Sequence, residues 1–383
     1  MPSLAVTNIG TLYSGDVAAP VLDHDSLVID GGVIAAIGDA SAAASADRVV
    51  DVAGASVLPG LIDDHVHPVF GDHTPRVSQS AYIDGFTHGG VTSIVSAGEV
   101  HTPGRPKDRD GTKALAVLAH KAWQNTPVPA RVHAGALLLE PGLVEEDFAE
   151  LAAIGVHLVG EIGISGVQDV DEAAEMTRWA QAAGMTVMVH VGGKSVPTSR
   201  TIDGEFCVAV RPDVAGHVNG GPTATALDDV VRILDETDAA VELVFNGNHR
   251  AAADVTRLLI ERGDLHRLVL GTDSPAGQGV APAGIFRLMN TLCAFGDLDP
   301  GLAIAAATGN TASLRRIPGG RLAVGCVGDV VVADAPDGSR SVDLAGALTG
   351  GDTPAVAAVV IGGELVVTRS RNTAPPRRVP DIR

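Results

Sequence analysis

Five residues that can bind a metal or move a proton close five strand-like runs in the middle of the chain, at spacings that share one unit. His67 closes LIDDHVH, Glu161 closes VHLVGE, His190 closes TVMVH, His217 closes DVAGH and Asp273 closes LVLGTD. The successive separations from His67 are 94, 29, 27 and 56 residues. Divided by three, one, one and two, they give units of about 27 to 31 residues, the size of a βα repeat. The repeat assigns these residues to the ends of strands 1, 4, 5, 6 and 8, with strand 7 ending at Phe245-Asn246. In a closed barrel, C-terminal strand ends converge on one mouth, where such folds carry their chemistry.

The texture between these points agrees. Short β-branched runs (VTSIVSA, ARVHAGALLL, AAVELVFNGN) alternate with helical patterns such as DVDEAAEMTRWAQAAG and LDDVVRILDETD. Alternation of this kind predicts a parallel sheet buried on both faces. The two ends of the chain differ from the middle. SLAVTNIGTLYS, DSLVIDGGVIAAIGD and DRVVDVAGASVLPG at the start, with GGRLAVGCVGDVVVADAP and PAVAAVVIGGELVVTRS at the end, read as strands cut by turn residues. The fold class expected is therefore α/β: a (β/α)8 TIM-type barrel over residues 57–318, with a small β-sandwich built from residues 1–56 and 319–383. The tail RNTAPPRRVPDIR has no core-forming pattern, and the stretch from VSAGEV through Thr112 reads as a polar loop.

Charge narrows the range of partners. The formal net charge is −19 over 383 residues, which argues against nucleic acid and anionic membrane surfaces, since both call for a basic footprint. No run approaches the roughly 18 apolar residues of a membrane span, and no basic-then-apolar leader opens the chain. Cys207, Cys293 and Cys326 are odd in number and widely spaced, so they predict buried thiols in a reducing compartment rather than disulfides. A cytoplasmic protein acting on a small molecule is expected.

His65 and His67 lie one residue apart, so on extended backbone both imidazoles point to one side and can share a metal ion. Glu161, His190, His217 and Asp273 are likewise metal-ligand or acid/base types at the ends of strand-like runs.

VVDVAGASVLPGLIDDHVH resembles the entry segment of the amidohydrolase superfamily, and ATGNTA with GGRLAVGCVGDVVVAD resembles its closing segment. The resemblance runs over nearly the whole chain; Gly328 departs from it where Ala is more usual. Within the superfamily, GEIG at Glu161, HVGG at His190, GHVNGGPTA at His217 and SRNTAPP are similar to a cyclic-amide hydrolase. The resemblance implies a binuclear centre bridged by Glu161. His65 and His67 would hold one metal, His190 and His217 the other, and Asp273 would bind the first at its edge. Two divalent ions per chain are expected, zinc first, with a zinc/iron pair as the alternative. A hydroxide between them would attack an amide carbonyl, and Asp273 would act as general acid/base. The resemblance also implies a homo-oligomer, a tetramer being the form suggested.

Other polar residues are candidates for substrate contact: Lys194 after HVGG, Asn219, Asn248 and His249, together with the loop histidines His73 and His101. Lys194 suits a substrate carboxylate, although a solvated surface lysine is the plain alternative. His24, His120 and His266 read as solvated and His157 as structural, and His133 reads as a core histidine bonded to backbone. The leading function is hydrolysis of a small cyclic amide. The alternatives are a binuclear deaminase of an amino-substituted heterocycle, which would favour exocyclic amines, and a scaffold on an inactive hydrolase fold, which would have lost a ligand.

Overall fold

The computed structural model describes residues 2–68, 79–100, 102, 104–195, 197, 199–220, 223–275 and 279–383. Eight parallel strands occupy the middle of the described chain: β1 (Leu61–Val66), β2 (Val91–Ser96), β3 (Arg131–His133), β4 (Leu158–Ile162), β5 (Thr186–His190), β6 (Val214–Gly216), β7 (Ala240–Val244) and β8 (Leu268–Gly271). They form a three-stranded sheet, β1–β2–β3, and a five-stranded sheet, β4 to β8 in sequence order. Parallel bridges Leu137–Val159 and Val66–Ser274 connect the two sheets at both ends. Backbone bonds from Asp273 to His65 and from His67 to Ser274 reinforce the second connection.

Helices follow the strands as their apolar spacing predicts. Val170–Ala182 buries Ala173, Met176, Thr177 and Ala180, which recur at i, i+3, i+4 and i+7 and so share one face. Its N-terminus is capped by Asp169, whose side chain accepts the N–H groups of Asp171 and Glu172. The helix Leu227–Glu236 buries Val230, Ile233 and Leu234 on the same principle.

Both ends of the chain contribute to two further sheets. One runs Asp381–Ile382, Arg48–Asp51, Leu4–Thr7, Leu27–Asp30, Val33–Ile37; the other runs Glu364–Val367, Ala355–Ile361, Val330–Asp334, Ser56–Pro59, Thr11–Tyr13, Val21–Leu22. Leu4, Val6, Leu27 and Ile29 of the first sheet pack with Leu12, Val57, Val330 and Val360 of the second in one apolar cluster. The chain passes from these sheets to the parallel strands between Pro59 and Leu61.

Two local expectations change. The tail docks, but through polar bonds: Asp381–Ile382 pairs with Val50–Asp51, Arg378 binds Asp334, and Asn372 Nδ2 donates to the Gly85 carbonyl. Contacts of this kind leave no hydrophobic period to read. The polar stretch after β2 likewise contains a buried carboxyl, Glu99, and ends in the helix Arg109–Asn125 capped by Asp108. The thiols of Cys207 and Cys293 are buried and that of Cys326 partly so; all three are free.

Candidate metal centre

The strand-end residues converge. Glu161, at the end of β4, sits among four imidazoles. Its Oε1 lies 2.8 Å from His190 Nδ1, 2.7 Å from His217 Nε2 and 3.8 Å from His65 Nε2. Its Oε2 lies 3.7 Å from His67 Nε2. Asp273 Oδ1 is 3.5 Å from His65 Nε2 and 3.4 Å from His67 Nε2. All six side chains are buried. Three sets of ligand atoms lie close enough to share an ion: His65, His67 and Glu161; Glu161, His190 and His217; His65, His217 and Asp273.

The backbone is shaped for this arrangement. His217 and Asp273 both have positive φ, 32° and 56°, a region that side chains other than glycine rarely occupy. Strain of this kind, held by the surrounding structure, concentrates at functional sites. Gly271, at the end of β8, faces the backbone of β1: a Cβ there would stand 2.6 Å from that of His65. Only glycine lets β8 approach β1 closely enough to bring Asp273 beside His65 and His67.

The electrostatics suit cations. Burial pushes the Glu161 carboxyl up, but the imidazoles of His190 and His65 outweigh it and hold Glu161 well below the usual carboxylate range. Asp273 is held down in the same way, burial being outweighed by His65, His67 and His217. The ring nitrogens are oriented as well. His67 Nδ1 faces the Gly98 carbonyl at 2.8 Å and His65 Nδ1 faces Glu242 at 2.8 Å, so each presents Nε2 to the centre. Among the described residues, His65 Nε2 and His217 Nδ1 are buried without a hydrogen-bond partner. His65 Nε2, unpaired and near the carboxylates of Glu161 and Asp273, has the setting of a metal ligand.

The substrate candidates fare differently. Asn219 is fully buried, and its amide exchanges both bonds with the backbone of Val244. Asn248 caps the helix His249–Arg262, accepting from the N–H groups of Arg250 and Ala251. His249 Nδ1 lies 3.1 Å from Thr291 Oγ1, and its ring meets that of Phe245 edge-on. These three thus have structural partners. Lys194 is exposed, with no ion-pair partner among the described residues; the adjacent Ser195 Oγ touches His190 Nε2 at 3.0 Å. His73 and His101 lie outside the described residues.

His133 Nε2 finds no hydrogen-bond partner among the described residues, and with His157 it lines a cavity of about 240 Å³. Glu242 was not among the candidates, although an acid inside the apolar run AAVELVF is the signal that could have drawn attention to it.

No family model matches the chain. It is 43% identical to enamidase of Eubacterium barkeri, with 100% of each chain covered. The crystal structure of enamidase, described as a member of the amidohydrolase superfamily, superposes with a TM-score of 0.94 over 100% of both chains. Imidazolonepropionase of Mycolicibacterium smegmatis is 27% identical over 96% of this chain and 98% of its own. A D-hydantoinase from Thermus has a TM-score of 0.67 at 20% identity, covering 96% of this chain and 95% of that one, a likeness of fold alone. The chain belongs to the enamidase family, within the metal-dependent hydrolases of the amidohydrolase superfamily.

Proposed function

We propose that the chain opens a small cyclic amide at a centre of two divalent cations, using Asp273 as general acid and base. The observation that carries this reading is Glu161, one carboxylate in reach of His65, His67, His190 and His217. We take the two parallel sheets as one (β/α)8 barrel; their bridges at both ends support it. Residues 57–318 then form the catalytic unit, with residues 1–56 and 319–383 forming the β-sandwich beside it. Zinc, or zinc with iron, suits the His-rich donor set.

Divalent ions bound there supply Lewis acidity, acidifying a water and polarising an amide carbonyl. The protein supplies the proton traffic. Asp273 Oδ1, held ionised by the neighbouring imidazoles, is ready to accept a proton from the attacking water. As the new C–O bond forms and the ring C–N bond breaks, Asp273 returns that proton to the leaving nitrogen. The ring opens to a carboxylate and an ammonium group on one molecule, the second proton of the water passing from the new acid to the amine. Exposed Lys194, beside the loop that touches His190, is the candidate to meet a substrate carboxylate. A homo-oligomer, in the form of a tetramer, completes this reading.

The test is turnover of cyclic amides and amino-substituted heterocycles by metal-loaded protein, with products identified by mass. Uptake of one water by a lactam is the expected result. Ammonia release from amino-heterocycles, with lactams untouched, would replace this reading with a deaminase.

A further inference from the structure

Glu242 stands on β7, in the middle of the strand and fully buried. Its Oε2 faces His65 Nδ1 at 2.8 Å and accepts the backbone N–H of His217 at 2.9 Å. His65 is on β1 and His217 follows β6, and their Nε2 atoms face Glu161 Oε1 at 3.8 and 2.7 Å. A single Glu242 oxygen therefore holds two of the histidines around Glu161.

The surroundings are buried and polar. Asp64 lies beside the Glu242 carboxyl, and Arg315 takes both Asp64 oxygens, at 2.6 and 2.8 Å. The His65 ring lies between the Glu242 carboxyl and the ligand atoms of Glu161 and Asp273. Accepting from Nδ1–H also fixes the tautomer of His65 and leaves the Nε2 lone pair for a metal.

We propose that Glu242 is the positioning residue of the metal centre, a single carboxylate that orients His65 and seats His217, so that both sites depend on it. The proposal rests on the reading that His65 and His217 hold metal.

The experiment compares wild-type protein with Glu242→Gln and Glu242→Leu. Zinc affinity and stoichiometry are measured by competition with a chromophoric chelator, and thermal unfolding is followed with and without metal. Glu242→Leu is expected to weaken zinc binding by about 10- to 100-fold. Glu242→Gln falls between, because its amide oxygen still accepts from His65, although a single amide oxygen replaces the carboxyl group. The stability gap between each variant and the wild type is expected to be smaller without metal than with it, since the metal-linked part of the loss disappears with the metal. Wild-type affinity in Glu242→Gln, or a loss of stability as large without metal as with it, overturns the proposal. His65→Ala separates the two readings: if it keeps full zinc, the assignment of the ligands fails, whatever Glu242 does.

Discussion

Arg315 grips Asp64 with two parallel N–H bonds, 2.6 and 2.8 Å long, and neither side chain reaches solvent. Burial pushes the Asp64 carboxyl up to about 7 against the pull of Arg315. Removing one partner strands the other charge, and such losses run to about 3–5 kcal/mol. Arg315→Met and Asp64→Asn are each expected to lower stability by about that much in denaturant unfolding. The double variant should lose less than the sum of the two; additive losses would mean that the pair is not coupled.

Asp273→Asn keeps the shape of the side chain and removes its ability to take a proton. Turnover is expected to fall by about 10²- to 10⁴-fold, while metal content stays near that of the wild type because the four imidazoles and Glu161 remain. The check is elemental analysis beside single-turnover kinetics. Full metal with near-normal turnover would remove Asp273 from its role.

The candidate ligands were legible because each stands where an apolar strand ends, and the repeat of the βα unit carries their spacing. The supporting residues were not. Glu242 reaches His65 across 177 residues and Arg315 reaches Asp64 across 251, contacts that leave no local period. Nor were the partners of Asn219 and Asn248 legible: one amide bonds to the backbone of Val244 and the other to a helix N-terminus.

Glu99 is buried, neither carboxylate oxygen has a hydrogen-bond partner among the described residues, and burial pushes it from an ordinary 4.5 up to about 8. The folded protein keeps a proton on Glu99 that the unfolded chain has already lost. Stability is therefore lost as pH rises from about 4.5 to about 8. Relative to wild type, Glu99→Gln should gain stability over that window, by an amount on the order of a few kcal/mol. Unfolding midpoints of both proteins across the window give the answer; parallel curves would contradict it.

His133 has the opposite slope. Burial and the neighbouring His157 and Arg131 push it from 6.5 down to about 4, so the unfolded chain takes up the proton first. Its contribution is complete above about 6.5 and is lost as pH falls towards 4. A His133→Gln variant should show a flatter decline in stability between those values in acid titrations. An unchanged acid limb would mean that His133 does not titrate in this way.

The most direct test of the central claim is the metal content per chain of active protein purified without chelators. Glu161 in reach of all four imidazoles predicts about two divalent ions per chain, with Glu161→Ala losing both metal and turnover. One ion or none in fully active protein would contradict a bridging Glu161 and the mechanism built on it.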